Sequence, residues 1–183
     1  MSTPTFVDLQ GYPIGRRFVV KEAAVLRGGA VLAHYVFTTP MSWGAVSRDD
    51  RRLVTWLVRN HHGIAWEDGD VLYSRAKRLI IRALQNEEDC YDHAIVYVKG
   101  LEKRDWLQDM LEEDYYGDDY DDIKFYTDNL IVRNIKEDFE NIESLNDLDD
   151  SITFRCRRHC KNCAVQNVFK LYNWWRNHQN NDV

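Results

Sequence analysis

Two stretches of this chain gather side chains that do chemistry. The first is Cys156-Arg-Arg-His159-Cys160-Lys-Asn-Cys163, three thiols and an imidazole within eight residues. Thiolate and imidazole at this density suit Zn2+, which takes four such ligands in a closed structural site. A helix through the segment presents Cys156, His159, Cys160 and Cys163 to one side, so these four are the candidate zinc ligands. The competing reading places Cys160 and Cys163 in the apolar stripe of the last helix, since free cysteine is among the most buried residue types. The second stretch is Thr5-Phe-Val-Asp8-Leu-Gln10-Gly11, an apolar run closed by one carboxylate, an amide and a glycine. Phosphodiester hydrolysis with two metals needs clustered carboxylates, and a lone Asp8 does not supply them. Around these stretches stand cations. Arg155, Arg157, Arg158 and Lys161 form a dense basic cluster, and Lys99 precedes Gly100. All five are candidate phosphate contacts, with Trp43, Trp66 and Trp174 as aromatic faces for unstacked bases.

The elements that must position these groups are legible in outline. Phe18 to Leu26 and Ala30 to Phe37 are strand-type runs separated by Arg27-Gly28-Gly29, a hairpin signal. With Phe6-Val7 they open the chain as an antiparallel meander, with Asp8 at the end of its first strand. Ser47 caps a predicted helix through Val58, with apolar residues at 53, 54, 57 and 58. The pattern of Val71 to Leu84 predicts a second helix, whose Arg75, Lys77, Arg78 and Arg82 make an ordinary solvated face. Ala94 to Val98 reads as a buried strand, with Cys90 buried and His93 a polar group at its start. Lys103 to Leu111 reads as a helix and Phe125 to Val132 as a short strand. Residues 141–150 form a connection, and a closing helix runs from about Lys161 to Asn177.

This order resembles the DEDDh exonuclease domain of the RNase H-like superfamily over most of the chain. In that family the first strand ends in Asp-x-Glu, and the third runs through a proline turn into a helix and a Gly-Ile element. The fourth strand leads to a third acid, and a late His is followed five residues on by Asp. The matching pieces are Asp8-Leu9-Gln10-Gly11, Thr39-Pro40, His62-Gly63-Ile64, Ala94 to Gly100, and His159. The resemblance implies an α/β fold, a mixed sheet with an antiparallel meander first and helices flanking it. It also implies that the acid set has eroded. Gln10 stands in place of the Glu, the third acid position falls on Lys103, and Cys163 follows His159 at four residues with no Asp nearby. The Lys103 ammonium either fills the vacated metal region and pairs with Asp8, or points into solvent from its helix. The Maelstrom domain is a similar case in kind, an RNase H-like relative that lost its acids and gained a zinc cluster of Glu, His and Cys ligands. No site is carried over from it.

The 183 residues fit one domain, and 44% hydrophobic with 30% charged residues is a globular composition. No apolar run nears the roughly 20 residues of a membrane span, and no signal-like N-terminus is present, so cytosol or nucleus and no membrane partner are expected. The net charge of −6 is unevenly spread: residues 111–150 carry 3 Lys/Arg against 15 Asp/Glu, and residues 151–183 carry 6 against 1. The acidic, tyrosine-rich loop at 112–122 is a candidate protein-docking element, and the basic tail leaves nucleic acid open as a partner. The expected function is thus a catalytically inactive exonuclease-fold domain that binds RNA or single-stranded DNA, or docks a protein. The alternatives are a nuclease using Mg2+ or Mn2+ on a rearranged set of Asp8, Glu22 and Asp128, and a structural interaction protein.

Overall fold

The computed structural model describes residues 3–85, 94–112, 127–148, 151–152, 154–159 and 161–181. The expectations for Cys90, His93, Cys160 and the acidic loop beyond Glu112 lie outside these residues. Five strands form a mixed open sheet in the order β3-β2-β1-β4-β5, flanked by helices. The strands are β1 (Thr5–Ile14), β2 (Arg17–Arg27), β3 (Val31–Val36), β4 (Ala94–Val98) and β5 (Leu130–Asn134). β1, β2 and β3 pair antiparallel, whereas β4 runs parallel to β1, and β5 parallel to β4. The helices are α1 (Arg48–Asn60), α2 (Ala76–Leu84), α3 (Leu101–Glu112), the short α4 (Ile135–Asp138) and α5 (Ala164–Asn181).

Alternation along β1 sorts the two faces. Val7 and Leu9 pack with α2 and α3 through Ile80, Ile81, Leu84, Leu107 and Met110. Phe6 packs on the other face with Ala164, Val165, Val168 and Leu171 of α5. Asp8 and Gln10 share the parity of Phe6, so the chemistry of β1 falls on the α5 face.

Asp8 does not end the first strand, which continues to Ile14 and turns at Gly15-Arg16. A bulge permits this. Gln10 pairs with Glu22 but Gly11 pairs with Val20, leaving Lys21 as an extra residue on β2. The inserted residue reverses the parity of β2. Glu22 therefore joins Gln10 on the α5 face while Val20 packs against α2 and α3. A Cβ on Gly11 would lie 2.2 Å from the Val19 carbonyl oxygen, so only glycine fits this close approach. The fully buried Lys21 sends its ammonium to the carbonyl oxygens of Trp66 and Asp68. Burial pulls its pKa down to about 8.

Other boundaries move for local reasons. Val71 extends instead of starting a helix, because Val71 and Asp70 both donate to the Val36 carbonyl; a 3-10 turn at Tyr73–Arg75 then leads into α2. Ser47 caps α1 as expected, its hydroxyl accepting from the Asp50 amide at 3.1 Å. The closing helix begins at Ala164, three residues later than its pattern suggested, after Asn162 at a left-handed φ of 39°. No described helix is long and apolar enough to cross a membrane.

Candidate metal centre and a closed carboxylate pocket

Asp8 is fully buried in the middle of β1. Its Oδ1 accepts from Lys103 Nζ at 2.5 Å, and its Oδ2 accepts from Gln10 Nε2 at 2.9 Å and Asn167 Nδ2 at 2.8 Å. Three donors from β1, α3 and α5 thus converge on one carboxylate. Of the two orientations open to Lys103, the ammonium turns inward, its side chain 21% exposed. An ammonium in the first turn of a helix opposes the helix dipole, and the Asp8 carboxylate offsets that cost. The arrangement holds a cation without a metal. A divalent ion would have to displace Lys103 from a partner that is buried, and a neutral amide at Gln10 is a poor second ligand for it.

Asp128 sits far from this pocket. Thr5 pairs with Val96 and Val96 with Val132, so Asp128 lies before the start of the parallel strands while Asp8 lies toward their ends. The five residues of β5, at about 3.3 Å each, lie between their levels in the sheet. The rearranged acid set of Asp8, Glu22 and Asp128 therefore has no shared site.

Next to the pocket is a second cluster. Donor atoms of Glu22, Cys156, His159 and Cys163 lie within 4.8 Å of one another. The sequence pattern had named three of these and set them on a helix. They stand instead on the irregular segment before α5, and the fourth donor is Glu22, reaching across from β2. Glu22 is fully buried and accepts from the Ala164 amide at 3.1 Å, so it also caps α5. Its oxygens meet His34 Nε2 at 2.8 Å and His159 Nε2 at 2.9 Å. Burial opposes its charge, but the bonds with His159 and His34 outweigh it and hold the carboxyl at about 2. His159 responds in the opposite sense. Burial disfavours its charge, yet the Glu22 carboxylate raises it to about 8.

The donor set fits zinc. His159 directs Nδ1 to the Lys161 carbonyl at 2.7 Å, the outer-shell bond that fixes the ring and aims Nε2 at the cluster. The Cys156 amide donates to Cys163 Sγ at 3.2 Å. A separate side-chain bond between the two thiols draws Cys156 down, while that bond and burial push Cys163 up, so Cys156 ionises first. A tetrahedral ion with bonds of about 2.0–2.3 Å sets its ligands about 3.3–3.8 Å apart, so the 4.8 Å spread must close by roughly an ångström. Four protein ligands leave no open position for substrate. Such an ion would join β2 to the start of α5 and do no chemistry of its own.

The two clusters share their scaffold. Gln10 and Glu22 are cross-strand partners, and Cys163 and Asn167 are one turn apart, joined by the Asn167 amide donating to the Cys163 carbonyl at 3.0 Å. His62 lies buried beside them, accepting from the Ile64 amide at Nδ1 and donating from Nε2 to the Gly11 carbonyl. Both ring nitrogens suit a neutral imidazole, and burial holds its pKa at about 4.

The basic candidates separate. Lys99 is tied to the carbonyls of Ile142 and Glu143, which makes it a clasp on that turn and not an open phosphate contact. Lys161 spans 2.8 Å to the Arg59 carbonyl at the end of α1. Arg158 pairs with Asp70, and Arg155 and Arg157 are exposed. Sequence reasoning missed His34 and Asn167 as partners, and weighed Glu22 only as a nuclease acid. An acid inside Val19-Val20-Lys21-Glu22-Ala23-Ala24 was the available signal, because a carboxylate in an apolar strand must be paired. The chain matches no known protein-family model and no curated protein.

Proposed function

We propose that this chain is a catalytically inactive domain of the RNase H-like, exonuclease type that binds single-stranded nucleic acid, RNA foremost, with its last helix pinned by a structural zinc ion. The observation that carries the reading is the Lys103 ammonium seated on Asp8. Where a two-metal nuclease would need clustered carboxylates, this pocket has one acid, two amides and an ammonium. A mixed sheet that begins with an antiparallel meander and is flanked by helices is what the resemblance implies, and it supports the reading. The exposed Arg155 and Arg157 beside the Cys/His segment support phosphate contact.

Labelled single-stranded RNA and DNA incubated with the protein and Mg2+ or Mn2+ test the first part. No Asp8-dependent cleavage is expected, and a cleavage abolished by Asp8→Ala overturns inactivity. Filter binding across a salt series tests the second part. Affinity falling steeply with salt is expected, and a flat dependence argues against phosphate contact. Elemental analysis tests the third, with one zinc per chain expected and loss of it in Cys163→Ser. Metal-free protein overturns the zinc assignment.

A further inference from the structure

The outer face of α1 carries a feature that neither cluster uses. Trp56 is 57% exposed, which leaves an indole face open to solvent on the helix. Arg52 precedes it by four residues and Arg59 follows by three, and both are exposed. At 100° per residue the three fall within a sector of about 60°, spread over about 10 Å of helix. Arg52 has only a long, fully solvated contact to Asp49 at 3.4 Å, and among the described residues no carboxylate pairs with Arg59. Lys161 and Asn162 clamp the end of α1 by bonds to the carbonyls of Arg59 and His61, which sets a further cation at the end of the stripe.

An exposed indole flanked along a helix by two guanidinium groups combines the two elements of single-strand binding, a π-face for an unstacked base and cations for the phosphates on either side. We infer that the Arg52-Trp56-Arg59 face of α1 is the primary contact for single-stranded nucleic acid, with Trp56 stacking on a base. This rests on the nucleic-acid reading above and gives it a location. A duplex buries the faces of its bases within the stack, so the site discriminates against it. The interior of the neighbouring pocket plays no part, because Lys103 already occupies it.

Fluorescence anisotropy with labelled oligo(U) tests the inference on the full chain. Trp56→Ala is expected to weaken binding about thirtyfold, the middle of the range for losing one base–aromatic stack, and Trp56→Phe to retain most of the affinity. Arg52→Ala and Arg59→Ala are each expected to reduce the slope of log affinity against log salt by about 1. Circular dichroism confirms that these surface variants fold. If wild type binds but Trp56→Ala binds equally well while Arg155→Ala or Arg157→Ala weakens it, the strand lies elsewhere, and this inference fails while the broader reading stands. Duplex RNA competing as well as oligo(U) also overturns it. If wild type binds no single strand at any salt, both fail.

Discussion

Asp8 illustrates how a buried charge is made tolerable by donors from the protein itself. Its three donors include one full positive charge, so removing that donor leaves an anion with only two amides in a dry environment. Lys103→Met is accordingly expected to cost about 3–5 kcal/mol in urea unfolding, and the double variant with Asp8→Asn to recover most of it. Equal costs for the single and double variants would mean that the charge pair does little. His62 gives a pH prediction. Its folded pKa of about 4 lies below the ordinary 6.5, so the fold favours the neutral ring. That contribution is complete above pH 6.5 and is lost as pH falls from 6.5 to 4, amounting to about 3 kcal/mol in all. His62→Gln, whose amide matches both bonds, is expected to flatten stability across that window. An unchanged pH profile would assign the acid sensitivity to other groups.

At the level of elements, the bulge on β2 lets Glu22 and Val20 face opposite sides of the sheet. Without Lys21 as an extra residue, Glu22 could not share a face with Gln10 while Val20 faces α2 and α3. Gly11→Ala drives a methyl group into the Val19 carbonyl and is expected to destabilise by at least about 2 kcal/mol, because backbone must move. The cost should appear as weakened zinc retention as well as a lower Tm, since Glu22 sits on the displaced register. A variant that keeps its Tm and its metal would show that the bulge is easily rearranged. α5 depends on the same neighbourhood. Glu22 caps its first turn, Cys163 precedes it and Asn167 reaches Asp8. Stripping zinc with a chelator is therefore expected to lower Tm by several degrees and to expose α5 to hydrogen exchange before the sheet. Uniform exchange across the chain would contradict a local anchoring role.

Across the whole molecule, the two clusters are expected to give opposite responses to metals. Millimolar Mg2+ is expected to leave Tm unchanged, since Lys103 already neutralises Asp8, whereas zinc removal lowers it; a marked stabilisation by Mg2+ would point to a usable carboxylate site. Much of the architecture is written locally: the hairpin at Gly28-Gly29, the Ser47 cap, the apolar β4 and the stripe of α5 all declare themselves by period and turn chemistry. So do three of the four residues of the candidate metal cluster, because soft donors crowded within eight residues need no folding to be noticed. The tertiary structure alone decided the rest. Glu22 lies more than a hundred residues from Cys156 and enters the cluster because β2 turns it, with Ala24 and Leu26, toward the face that α5 covers. Lys103 was free, on sequence, to face solvent or Asp8, and only the packing of α3 against the sheet sets its direction. Spacing encodes what a single helix or strand does with its own residues, while a charge pair across the fold depends on which faces meet.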